Sequence, residues 1–236
     1  ALDPVVLEAT KLLGRQGGLT LDTVVRNILC AGTNVTYCPK IGTGGAETEV
    51  TSRSGLDTTS QLTVDVVQQV VAKLRAQNAP TIDGDYVAII HPYVAYDLMR
   101  DPEWIDAHKY AQPDNLYTGE IGKIAGVRFV QTTEAKIWND ETCPVKTAAG
   151  SGNPAVYYSV FATLFIADGA YGTTEVEGGG MQTFVKQKGS AGTADPLDQR
   201  SSVGWKALKT AEILMPNYLV RVESVSKRFS GTAKAN

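Results

Sequence analysis

The sequence predicts an α+β fold, and three stretches predict it: a valine-rich run at residues 62–78, a nearly continuous apolar run at 156–166, and an alternating run at 218–225. In the first, Val67, Val70, Val71 and Leu74 fall at i, i+3, i+4 and i+7, which places them on one face of a helix. The second reads as a strand buried on both faces. In the third, Tyr218, Val220 and Val222 alternate with Leu219, Arg221 and Glu223, the pattern of a half-buried antiparallel strand. With 236 residues the chain is long enough to bury roughly 70 to 75% of its unfolded surface, as one large domain or two modest ones.

In chain order, residues 4–14 carry Val5, Leu7, Leu12 and Leu13 on a helix ended by Gly14. Gly17 and Gly18 then form a hinge, and residues 22–30 make a second helix with Val24, Val25, Ile28 and Leu29. So little apolar face must lean on the body of the chain or on a neighbouring copy. Residues 32–60 turn to Thr, Ser and Gly. That connection exceeds the usual loop length, so it is either disordered or a functional extension. Val35 and Tyr37 with the glycine-rich turn at 42–45 predict a projecting hairpin, too small to be stable except against a partner. Asn34-Val35-Thr36 matches a glycosylation sequon, which is discounted without a secretory signal.

Thr63 is placed to cap the valine-rich helix, with Asp65 where the helix dipole favours negative charge and Leu62 and Val67 at staple spacing. Its five valines weaken intrinsic helix propensity, so the helix depends on packing one long stripe against a sheet. Residues 78–80 end it, 81–85 turn, 86–90 form a short strand, and Pro92 opens another helix. Residues 101–115 read as a packed irregular segment, and Gly119, Gly122 and Gly126 as a tight turn before a strand at 127–130. They fit neither a phosphate-binding nor a dinucleotide-binding glycine pattern. Residues 139–153 are a polar loop, 173–176 and 182–186 short strands, and 189–198 a loop; Met215-Pro216-Asn217 turns the chain into a last strand and a basic, frayed tail from 226.

Lys and Arg number 22 against 25 Asp and Glu, a net charge of -3, which excludes a chain built to grip nucleic-acid phosphates. The nearest local excess, Lys186 and Lys188, reads as a solvated strand edge. Cys30, Cys38 and Cys143 match no zinc spacing and read as free thiols of a reducing compartment. No apolar run reaches the roughly 20 residues of a membrane span, and no signal peptide opens the chain, so a soluble protein made in the cytoplasm is expected.

Reactive groups are sparse. His91 precedes Pro92 at a strand end and reads as a capping or packing residue. His108 lies near Asp101, Glu103 and Asp106, a grouping common on solvated helices and turns. Asp195 and Asp198 read as local ion-pair partners of Arg200 more readily than as an acid and base. No nucleophile elbow or zinc-protease helix is present. The expectation is therefore no enzyme, with no catalytic, cofactor-binding or metal-ligating residue and no cofactor.

Four segments in order, 86–98, 119–129, 195–200 and 203–207, together with Leu7-Glu-Ala-Thr10, Leu19-Thr-Leu-Asp22 and Ala31-Gly-Thr-Asn-Val35, resemble the major capsid proteins of tailed bacteriophages. More narrowly, they resemble the capsid family named after N4-like podoviruses. The resemblance implies the Hong Kong 97-like fold. It implies an amino-terminal arm at 1–31, an extended loop at 32–60, a peripheral domain at 61–81 and 188–236 whose spine helix is 63–77, and an axial domain at 82–187. It further implies an icosahedral head of pentamers and hexamers enclosing double-stranded DNA without sequence-specific binding. Scaffolding, portal and decoration proteins would be possible partners, there would be no membrane, and assembly would take place in the host bacterial cytoplasm. A bacterial nanocompartment shell on the same fold is the alternative, and a small hydrolase using His108 a remote one.

Overall fold

A computed structural model describes residues 4–111, 122–148, 154–174, 179–190, 196–197 and 199–236. The chain divides into two compact units, Ala1–Val25 with Thr173–Glu212, and Arg26–Gly172 with Ile213–Asn236.

The larger unit is organised on β10 (Val160–Ile166), all seven of whose residues are buried. It runs antiparallel to β15 (Leu219–Val225) along its whole length, from Val160 opposite Val225 to Ile166 opposite Leu219. Its other edge is shared by β4 (Tyr86–Ile90) and β7 (Ile137–Trp138), both antiparallel to it. Beyond β4 lies β6 (Val127–Gln131) in parallel, then β5 (Lys123–Ile124). On the far side, β1 (Val35–Tyr37) pairs in parallel with β15 and forms the edge. The expected double-sided burial of the 156–166 run holds for β10, although the run breaks after β9 (Val156–Tyr157), which pairs with β8 (Val145–Thr147) inside the stretch expected to be a polar loop.

Helix α2 (Val64–Ala76) forms where the valine spacing predicts it and buries Val64, Val66, Val67, Val70, Val71 and Leu74. They share one core with Tyr86, Ile90, Phe161, Phe165 and Val222. Thr63 caps it, its hydroxyl accepting from the Val66 amide. The β-branched penalty is thereby offset by burial of one continuous apolar stripe. Helix α3 (Pro92–Met99) starts at its proline as expected. The turn between β5 and β6 is made by Ala125 and Gly126, both at positive φ.

Five expectations need correction. Residues 4–30 form one continuous helix, α1 (Pro4–Cys30), with no hinge. A Cβ on Gly17 would lie 3.0 Å from Met181 Cε and 3.2 Å from Trp205, so the glycine serves close packing, and Trp205 Nε1 also donates to Gln16 Oε1 at 2.8 Å. Residues 102–111, expected to be irregular, form helix α4 (Pro102–Ala111), because Asp101 caps its start by accepting from the Glu103 amide. The alternating strand is buried on nearly every residue, since its polar side is covered too. Val35 and Tyr37 belong to the central sheet, while the hairpin beyond them is β2 (Lys40–Ile41) with β3 (Glu47–Thr48). The tail is not frayed: Phe229 stacks on Tyr93 at 4.2 Å, and the Asn236 side chain accepts from the Ile137 amide at 2.9 Å.

In the smaller unit the described residues include the antiparallel ribbon β12 (Gln182–Lys186) with β13 (Ser202–Lys206), as the sequence predicted for 182–186. All of β12 is exposed. A separate pair joins β11 (Tyr171–Thr173) to β14 (Ala211–Ile213).

Candidate functional site

The excursion at residues 32–60 leaves the central sheet at β1 and returns to it beside β15. On the outward side Cys38 is completely buried and its amide donates to the Glu223 carbonyl at 3.0 Å. The hairpin then turns through Gly44 and Gly45, whose φ values of 85 and 82 suit glycine. On the return Val50 and Leu56 pack with Cys143, Val160 and Val225 in a second small core. Thr59 ties the hairpin down: its hydroxyl accepts from the Ile41 amide at 3.1 Å and donates to Asp57 Oδ1 at 2.6 Å.

At the centre of this base is a charged cluster. Arg53 donates to both oxygens of Glu223, Nε to Oε2 at 2.6 Å and Nη2 to Oε1 at 2.8 Å, the bidentate geometry that makes such pairs strong. Arg221 Nε adds a third bond at 3.0 Å, and its Nη1 donates to the Cys30 and Gly32 carbonyls. Arg53 also lies over the Trp138 ring at 3.9 Å and donates to Thr142 at 2.9 Å. The Glu223 side chain is 0% exposed. Burial alone would lower the Arg53 pKa, but the bond and charge of Glu223 more than offset it and raise it. Asp140 is held below the usual carboxylate range by the Thr142 hydroxyl. Four distant segments, around residues 30, 53, 138 and 223, are thereby pinned at one point.

That arrangement fixes geometry and offers no reactive group. The sequence missed it because Arg53 and Glu223 are 170 residues apart and Glu223 occupies the side of an alternating strand that reads as solvent-facing. The signal available was a polar pair, Arg221 and Glu223, inside an otherwise apolar strand.

The other sequence candidates are placed as follows. His91 caps α3, its Nδ1 accepting from the Tyr93 amide at 3.1 Å, and packs on Phe161; burial pushes its pKa down. Asp101 accepts from the Val64 amide at 2.8 Å as well as from Glu103, so both its oxygens serve helix starts. The His108 backbone lies in α4 and its side chain outside the described residues. Asp195 and Asp198, and with them their pairing with Arg200, also lie outside the described residues. Among the described residues no three His, Cys, Asp or Glu side chains are grouped to hold a metal ion. The three cysteines are free and buried, and burial pushes the Cys30 thiol up to about 11 and the Cys38 thiol higher. No helix among the described residues is long and apolar enough to cross a membrane.

A sheet of this order with one long valine-lined helix and an anchored excursion is the Hong Kong 97-like capsid fold. The structure is similar to the capsid of the cyanophage P-SCSP1u, with TM-score 0.62 and 14% identity over 91% of this chain and 64% of that one. It is similar also to the head of the Helicobacter pylori bacteriophage KHP40, with TM-score 0.62 and 12% identity over 94% and 69% of the two chains. The model of the phage capsid protein family matches residues 5–191, and the chain belongs to that family. The major capsid protein of Pseudomonas phage KPP21 is 28% identical over 139 residues, 56% of this chain and 35% of that protein, so the chain spans about a third of that relative's length.

Proposed function

We propose that the chain is a major capsid subunit that assembles in many copies, as pentamers and hexamers, into the icosahedral head of a tailed double-stranded DNA bacteriophage. In this reading residues 1–31 are the arm, 32–60 the extended loop, 61–81 with 188–236 the peripheral domain, and 82–187 the axial domain, the central sheet drawing on both of the last two. The four ordered segments named above support a likeness to the N4-like podovirus capsids. The observation that carries the reading is family membership over residues 5–191, and the anchored excursion with an exposed tip supports it. A body that holds such a projection rigid suits contact with a neighbour, and closed symmetry multiplies modest contacts into a stable particle.

The role is structural rather than catalytic, and the location is the virion after assembly in the bacterial cytoplasm. A net charge of -3 supports enclosure of DNA without sequence-specific grip, because a wall that bound phosphate strongly would impede packing. Scaffolding, portal and decoration proteins are the partners such a shell would meet. Light scattering after size exclusion, with electron microscopy of the same fraction, tests this. Icosahedral shells, or rings that close into shells, are expected; a homogeneous monomer that never assembles, even with a scaffolding protein supplied, overturns it.

A further inference from the structure

The β12–β13 ribbon of the smaller unit has two unlike faces. Trp205 faces α1, where its Nε1 donates to Gln16 Oε1 at 2.8 Å and its ring presses with Met181 against Gly17. Side chains alternate along a strand, so Phe184, Lys186 and Lys206 point the other way, with Gly204 directly opposite Phe184. That outer face lies open. Phe184 is 48% exposed, both lysines are exposed, and a Cβ on Gly204 would meet nothing within 4 Å.

The charge of this region runs against that of the whole. Residues 179–209 hold five Lys and Arg against two Asp, a charge of +3 in a chain whose net charge is -3. Among the described residues Lys186, Lys188 and Lys206 enter no ion pair. Lys206 lies instead 5.7 Å from the Phe184 ring centroid.

The spacing of these groups selects a partner. Lys206 sits opposite Gln182, four residues along β12 from Lys186, so the two lysines rise about 14 Å apart with Phe184 midway between them. The major groove of double-stranded DNA is about 12 Å wide, admits a two-stranded β-ribbon, and offers thymine methyls to an apolar side chain. The lysines therefore match phosphates on its two rims, and the bare backbone at Gly204 permits the close approach.

We propose that the outer face of this ribbon seats in the major groove of double-stranded DNA, with Lys186, Lys188 and Lys206 on phosphates and Phe184 on base edges. This rests on the shell reading, in which such DNA is the enclosed polymer, and names where the wall touches it. Three phosphate contacts give a salt slope of about -2.7, so affinity falls about fortyfold between about 50 and 200 mM salt. The contact is thus light, as suits a wall that must let DNA pack.

Fluorescence anisotropy of a labelled duplex of about 30 base pairs, titrated with the unassembled full chain, tests it. Light scattering of the same preparation under assembly conditions reports on the shell reading separately. Wild type should bind with the slope given. Lys186→Gln with Lys206→Gln should bring the slope to about -0.9 and weaken binding about tenfold or more at about 50 mM salt. Gly204→Leu changes no charge and should weaken it several-fold by filling the bare patch. Arg128→Gln with Lys234→Gln, an equal charge change at exposed positions of the larger unit, should bind as wild type does. None of these positions is buried, so circular dichroism should show wild-type folding throughout. A wild-type chain that leaves the duplex unbound at low salt, an unchanged slope on removal of the two ribbon lysines, or an equal loss in the Arg128 and Lys234 variant would overturn the proposal, whether or not shells form. A single strand of the same length bound more tightly than the duplex would overturn it in favour of bases stacked on Phe184. Polyglutamate bound more tightly than the duplex would overturn it in favour of an acidic protein partner.

Discussion

At the return end of the 32–60 excursion Leu56 is 2% exposed and Arg53 is clasped by a carboxylate sealed from solvent, whereas residues 42–49 at the turn are all exposed and lean on two glycines at positive φ. Both ends belong to one polar, glycine-rich stretch. They differ in what lies beneath them. The base covers Val160 and Val225 at the end of the central sheet, so Val50, Leu56 and Arg53 each find a buried partner. The tip buries none of its own residues. A projecting element of this kind needs a rigid root, because a root that opened readily would cost the tip its fixed position at the moment of contact.

The comparison would be broken most severely at Glu223. Glu223→Ala leaves the half-buried Arg53 and Arg221 without their counter-charge and should destabilise the fold by about 3 kcal/mol, read from urea unfolding. Leu56→Ala should come next, at about 2 to 4 kcal/mol, from lost burial and the cavity left behind. If either variant unfolds like wild type, the base is not a root. Thr59→Ala removes the bond to the Ile41 amide and should cost about 1 kcal/mol, with faster hydrogen exchange at Ile41 while β10 amides stay protected.

A smaller effect, dependent on pH, is expected at His91. Burial lowers its folded pKa below the ordinary 6.5, so the unfolded chain binds the proton more readily. The stability tied to this group is complete above 6.5 and falls as pH drops through 6.5 toward the lowered folded value. His91→Asn keeps a capping oxygen but does not titrate, and its melting temperature should fall less than that of wild type between about pH 7 and pH 5. Smallest of all is the tip: Glu47→Gln should change stability by under about 0.5 kcal/mol. A larger change would mean that the hairpin contributes to its own chain's fold.

Elements whose cause is local were legible in the sequence. The stripe and cap of α2, the strand at 86–90, the proline start of α3 and the burial of β10 all follow from neighbours within a turn or a strand. What could not be read depended on distant partners. Gly17 and Gly18 signal flexibility until Met181 and Trp205 are brought against one of them, and Glu223 looks solvent-facing until Arg53 arrives from the other end of the chain. The candidate site is entirely of this second kind, which is why a search for reactive motifs passed over it.

The three shielded thiols have a use of their own. Cys38 lies on the outward limb of the excursion, Cys143 under its return and Cys30 at the end of α1, and none forms a disulfide. Each can react with a thiol reagent only when its surroundings open, so labelling rates at the three positions are three separate clocks for local opening. Reading them in the free subunit and again in an assembled particle would show, minute by minute, which part of the molecule assembly stills.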